Sequence, residues 1–243
     1  MFFYSIPYGI YGVLSMKKLI PIYVIGLVVF VLISVATNHA VTAFHQTEPI
    51  LERVCVVIDA GHGGEDGGAT SCTGVLESQT NLQISLRLED MLHLLGIQTK
   101  MIRTTDRSVY TTGTSLSAKK MSDLKERVRI ANETDKAVLI SIHQNTFSDS
   151  FYYGAQVFYN TKGETLAKNL QRNFVDYLNP GSRRKAKHAD KIYLMEHVNS
   201  TGVLIECGFL SNADEEAKLG TQAYQKDLAW NIYLGTMQYL NGQ

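Results

Sequence analysis

A β-branched run, Val56-Val57-Ile58, passes through Asp59 and Ala60 straight into Gly61-His62-Gly63-Gly64. A run without polar alternation reads as a strand buried on both faces, the kind found in parallel sheets. The glycines let the backbone turn sharply at the strand end and leave room around His62, the one side chain among them. In open α/β sheets ligands bind beyond the carboxyl ends of the strands, so His62 stands where a site is expected. Two more apolar runs end in a similar way. Residues 137–142 lead to His143, and Val203-Leu204-Ile205 leads to Glu206.

Helical periodicities separate these runs. Ile84, Leu88, Met91 and Leu95 mark one face of a helix that opens at Glu77, with Gly96 where a C-terminal cap belongs. Ile97–Arg103 reads as a strand and Asp106–Met121 as a surface loop, after which Ser122 can cap a helix holding Leu124, Val128 and Ala131. Ala155–Tyr159 reads as a strand. Ala167, Leu170, Phe174 and Leu178 mark a helix that stops before Pro180, and Tyr224, Leu228, Ile232 and Tyr239 a long final one. Strand and helix alternate throughout, which predicts one α/β domain around a largely parallel central sheet.

The 243 residues, 45% of them hydrophobic, suit one such domain and a short extra segment. With 23 basic and 23 acidic residues the chain lacks the basic excess of a nucleic-acid binder. Three cysteines, Cys55, Cys72 and Cys207, are too few and too odd in number for a disulfide framework, and they read as small buried apolar residues. The extra segment is N-terminal. Lys17-Lys18 precede an uncharged apolar run from Leu19 to Ala36, the pattern of a signal peptide or membrane anchor. Residues 1–43 are assigned to it, with Met16 an alternative start, 44–53 to a polar linker and 54–243 to the folded domain. With the two lysines on the cytoplasmic side, everything after residue 45 is exported.

Two imidazoles and one carboxylate, with water in the fourth place, form a standard catalytic zinc site. His62, His143 and Glu77 offer that set from the ends of regular elements. Zinc lowers the pKa of its bound water to about 7. A carboxylate that is not a ligand is then needed to move protons, and Glu206 fits. Each residue also has a plainer reading. A lone histidine after a strand is more often structural, and Glu77 suits a helix start by its charge alone. Spacings of 15 and 66 residues do not by themselves bring the three ligands together. Glu206 stands out more, because a carboxylate in an apolar run is costly without a partner. Phosphate binding by the glycine loop is disfavoured. Glu65 and Asp66 would repel a pyrophosphate, and no lysine followed by serine or threonine comes after the loop. Residues 181–191 form a basic loop with Arg183, Arg184, Lys185, Lys187 and Lys191, either a solvated loop or a contact for an anionic substrate or partner.

Six stretches then match one family in order. They are Asp59-Ala60-Gly61-His62-Gly63-Gly64, Glu77-x-x-x-Asn81-Leu82, Arg103-x-x-Asp106, Arg127-Val128-x-Ile130-Ala131-Asn132, Ser141-Ile142-His143-x-Asn145 and Glu206-x-Gly208-Phe209-Leu210-Ser211-Asn212. With these the chain resembles the zinc-dependent N-acetylmuramoyl-L-alanine amidases of the Amidase 3 family. The resemblance implies a mixed α/β fold of about six strands flanked by helices. It implies one zinc held by His62, Glu77 and His143, and catalysis by Glu206. The implied reaction strips stem peptides from peptidoglycan at the muramoyl–alanine amide. Lys119-Lys120-Met121-Ser122-Asp123-Leu124, Arg184-Lys185-Ala186-Lys187 and Ile192-Tyr193-Leu194-Met195 are similar to the germination-specific cortex amidases of endospore formers. That implies work at the forespore envelope on the way to muramic-δ-lactam. The long insertion that autoinhibits some division amidases is lacking between His143 and Glu206, which implies control by a partner protein or by metal supply. A catalytically inactive peptidoglycan-binding regulator on the same fold is the alternative, and retention of Glu206 speaks against it.

Overall fold

The computed structural model describes residues 24–35 and 54–242. The assignments for residues 1–23 and 36–53 lie outside the described residues. Residues 24–35 form a helix, α1, with exposed apolar side chains. No helix among the described residues is long and apolar enough to cross a membrane. This segment and the unit from Pro49 onward are separate compact units.

The second unit runs β1 (Cys55–Ala60), α2 (Glu77–His93), β2 (Gln98–Met101), α3 (Leu116–Asn132), β3 (Ala137–Asn145), β4 (Gln156–Tyr159), α4 (Glu164–Asn173), β5 (Lys187–His188), α5 (Tyr193–His197), β6 (Thr201–Phe209), α6 (Ala213–Leu219) and α7 (Gln222–Leu240). A π-helical turn, Phe174–Leu178, extends α4. The six strands lie in the order β2-β1-β3-β6-β4-β5. Every pairing is parallel except β4 against β6. The expected α/β fold with a mixed, largely parallel six-stranded sheet is what the chain forms.

Strand alternation sorts the core into two layers. Val56, Ile58, Val138, Ile140, Val203 and Ile205 pack with α2, α4 and α7 residues such as Leu88, Leu170 and Ile232. Val57, Leu139 and Leu204 face the other way, against Ala131 of α3 and Leu194 of α5. By the same alternation Asp59, Ser141, His143 and Glu206 point to the α3 side, at or past the middle of their strands.

Four local readings need correction. Of the cysteines read as buried, only Cys207 is; Cys55 is half-buried and Cys72 exposed, the latter in the loop before α2. His143 and Glu206 do not follow their strands but lie within β3 and β6, paired with each other across the ladder. The register slips between His143 and Asn145, a bulge that bends the strand and re-aims side chains. Helix α3 starts earlier than its apolar spacing suggests, at Leu116, with the Ser115 hydroxyl accepting from the Ala118 N–H at 3.2 Å. Its first turns face solvent and so carry no apolar period. Ser122 is not a cap, since its Oγ accepts from Thr111 N at 3.1 Å and pins the preceding loop instead.

Candidate metal centre

The loop after β1 is built from backbone that most residues avoid. His62, Gly63 and Gly64 have φ of 59°, 136° and 60° in succession. For His62 the left-handed region is unfavourable without support. Two buried arginines give that support. Arg127 donates from Nη2 to the His62 carbonyl at 2.8 Å and from Nη1 to that of Ala60 at 3.0 Å. Arg103 donates to the carbonyls of Ala60 at 2.7 Å, Gly61 at 2.9 Å and Ser78 at 2.8 Å. The absence of a side chain at 61 is also required, because a Cβ there would lie 2.3 Å from the His143 ring.

Glu77, 4% exposed, opens α2 beneath this loop. Its Oε2 accepts from Ala69 N at 2.9 Å, and its Oε1 from Gln144 N at 3.0 Å and Asn81 Nδ2 at 3.2 Å. So held, each oxygen faces one imidazole. His62 Nε2 is 3.4 Å from Oε2 and His143 Nδ1 is 3.0 Å from Oε1. Burial alone would raise the Glu77 pKa, but the two histidines and the N–H donors outweigh it and hold it near 2. Burial would likewise lower His143, but the Glu77 carboxylate keeps it above the ordinary imidazole value. One donor atom from each of His62, Glu77 and His143 lies within 4.8 Å of the others, and two nitrogens with one oxygen suit zinc. Asp66 orients His62, its Oδ2 lying 2.9 Å from Nδ1 while Lys120 Nζ sits 2.8 Å from its Oδ1. A carboxylate behind a ligating imidazole is the usual support of such sites.

Glu206 stands one strand over from His143. Its Oε2 is buried and has no hydrogen-bond partner among the described residues. Burial, reinforced by the Glu77 charge and opposed by the histidines, lifts its pKa to about 7. Such a group both takes and gives protons near neutrality.

The sequence of residues 56–238 matches the family model described as N-acetylmuramoyl-L-alanine amidase. The chain belongs to the N-acetylmuramoyl-L-alanine amidase family. The germination-specific N-acetylmuramoyl-L-alanine amidase of Bacillus subtilis is 38% identical over 188 residues, covering 76% of this chain and 78% of that one. Among solved structures, the CwlD amidase of Clostridioides difficile, determined in complex with the GerS lipoprotein, superposes with a TM-score of 0.75. It has 35% identity and covers 78% of this chain and 99% of that one. An N-acetylmuramoyl-L-alanine amidase from Clostridium difficile 630 does so with a TM-score of 0.68, 32% identity and coverage of 78% and 98%.

In this amidase the four residues singled out by sequence, His62, Glu77, His143 and Glu206, come together at one edge of the sheet. The arginines and acids that hold them had no role assigned from sequence alone. A signal for Arg127 did exist. Leu124, Arg127 and Ala131 share one helix face at steps of three and four, so a charge interrupts a buried stripe. Its partner Asp59, fully buried, bonds Arg127 and accepts from Ser141 Oγ at 2.6 Å. Asp66 carried no such signal, since it lies in a glycine loop without periodicity. A cavity of about 360 Å³ opens beside His62 and His143 beneath α3 and α5, with Lys120, Arg127, Tyr193 and Leu204 in its walls.

Proposed function

We propose that the amidase is zinc-dependent, with His62, Glu77 and His143 as the metal's protein ligands and Glu206 as the proton carrier. The bond cleaved joins the lactyl carbonyl of N-acetylmuramic acid to the first alanine of the stem peptide. Zinc, when bound, supplies Lewis acidity to the carbonyl and acidifies water. The remaining work falls to the chain. Glu206 takes a proton from the attacking water and hands one to the departing nitrogen, which leaves as an amine. Asp66 holds the His62 imidazole in place, while Arg103 and Arg127 keep the His62 loop in its turn. The observation that carries this reading is a three-donor cluster within 4.8 Å with an unpartnered buried carboxylate on the adjoining strand.

Replacing His62 or His143 with alanine removes one of three ligands, so zinc measured by elemental analysis falls well below one per chain. Glu206→Gln keeps shape and zinc but loses proton transfer, and kcat falls by roughly 10²–10⁴. A Glu206→Gln protein without zinc would make Glu206 a ligand. Mass spectrometry of digested peptidoglycan should find peptides with a free N-terminal alanine, and cleavage elsewhere in the stem would refute the assignment.

The germination-specific relative supports a finer placement. The enzyme acts outside the cytoplasmic membrane on spore cortex and prepares muramic acid for δ-lactam formation. Spores lacking the gene should then contain no muramic-δ-lactam. Protease added to intact protoplasts should degrade the domain, with protection counting against export. The lipoprotein in the CwlD complex supports control by a protein partner here as well. Zinc content with and without the corresponding lipoprotein measures that control.

A further inference from the structure

The antiparallel reversal at β4 puts a second surface at the catalytic edge. Parallel strands β1, β3 and β6 end there. Because β4 runs against β6, with Gln156 opposite Glu206, β4 begins there. Because β5 is parallel to β4, it begins there too. The loops that lead into these strands, 146–155 and 179–186, therefore open beside Glu206 and take no part in the metal donor set.

Between the two loops lies a groove of about 640 Å³, with Gln156 on its floor. One wall is aromatic, from Phe151, Tyr152 and Tyr153, which remain 86%, 46% and 57% exposed. The other wall is cationic, from Arg183, Arg184, Lys185 and Lys187, and no acidic side chain lines the groove. Arg184 is built in. It donates from Nε to the Tyr153 carbonyl at 3.0 Å and lies 5.0 Å over the Phe209 ring, tying the two walls together. Arg183, Lys185 and Lys187 are exposed, and none of the four cations sits in a salt bridge among the described residues. Arg184 also acts on the nearby Glu215 carboxylate, and the three exposed cations beside exposed rings form a receptor for an anion that also carries apolar surface.

Strand order gives the groove a direction. The candidate metal donors belong to the loop after β1, to α2 and to β3, Glu206 to β6, and the groove to the loops that lead into β4 and β5. A proton delivered from Glu206 goes to the departing nitrogen, which puts that nitrogen beside β6, with β4 the next strand in order. We infer that the aromatic and basic groove over β4 and β5 binds the departing peptide through its carboxylates and selects acidic stem peptides. This rests on the proton-transfer role given to Glu206 in the proposed function.

The test combines Arg183→Gln, Lys185→Gln and Lys187→Gln in one chain, leaving Arg184 in place. Circular dichroism and zinc content confirm that this variant is folded and loaded. Substrates are muramoyl peptides with stem carboxylates either free or amidated. For the free-carboxylate substrate the variant should raise KM roughly tenfold with kcat within about twofold, as expected for lost uniform binding by exposed charges. The amidated substrate should show no change, and added salt should narrow the gap between enzymes. A second arm needs no turnover. Calorimetry measures the free acidic peptide binding to the Glu206→Gln chain with and without the three substitutions, and the substituted chain should bind roughly tenfold more weakly. If the wild type cleaves nothing, the proposed function fails and the calorimetry still decides the groove. Unchanged KM together with unchanged peptide binding overturns the inference. So does peptide binding that stays intact while the substitutions abolish sedimentation with phosphatidylglycerol vesicles, which would make the groove a membrane contact.

Discussion

Arg127 joins the stability of the fold to the shape of the metal loop. Its guanidinium pairs with Asp59 and Asp123 and also holds the His62 carbonyl. Breaking a buried pair by removing one partner typically costs about 3–5 kcal/mol. Arg127→Met should lower unfolding free energy by that order in urea titrations, and it should lose zinc affinity because His62 is freed from positive φ. Asp59 adds a pH dependence. Burial would raise its pKa, but Arg127, aided by His143 and Ser141, holds it below the ordinary carboxylate value. The unfolded chain therefore binds the proton more tightly. The contribution is complete above the unfolded value, about 3.9. It is lost as pH falls through the lower folded value. Asp59→Asn should be less stable than wild type at pH 7 and should show a flatter acid limb in melts between pH 2 and 5. At this scale the sequence pointed to the residues proposed to do the chemistry: His62, His143 and Glu206 interrupt or follow apolar runs, and Glu77 opens a helix. It did not disclose the donors that hold them, because bonds such as Arg103 to the Gly61 carbonyl span 42 residues and leave no local pattern.

Element boundaries matter most where a helix end carries a buried acid. Helix α6 is capped by Asn212, whose Oδ1 accepts from Asp214 N at 3.1 Å and Glu215 N at 3.0 Å. The Glu215 carboxylate in turn accepts from Gly154 N and Phe209 N, each at 2.9 Å. One short helix thus fastens loop 146–155 to the end of β6. Loss of such a cap costs about 0.5–2 kcal/mol. Asn212→Ala should lower stability by that amount in thermal melts, and hydrogen exchange should quicken at Gly154 before it does in β3. The apolar runs made β1, β3 and β6 legible. The two-residue β5 stayed hidden inside a basic loop, because two exposed residues carry no alternation to read. The reversal of β4 was hidden too, since strand direction is set by connections and not by composition.

At the scale of the molecule, the proposed zinc would link metal binding to folding. A ligand that binds only the folded state stabilises it by RT ln(1 + [L]/Kd), about 2.7 kcal/mol at a hundredfold excess over Kd. Chelation should therefore lower the Tm of the wild type and of Glu206→Gln by the same several degrees, and leave His62→Ala unmoved, as scanning calorimetry would record. An equal response of all three proteins would separate zinc from these ligands. Gly61 also governs how such a domain can change over generations. A Cβ there would strike the His143 ring, and one at Gly68, where φ is +72°, would lie 2.6 Å from Glu77 Oε2. These positions give mutational drift no foothold, and the β1 side of the edge stays frozen while the cluster is kept. The exposed side chains that precede β4 and β5 are under no such constraint. Lineages can therefore retune which cell wall they digest by rewriting the second side of the edge while inheriting the first unaltered.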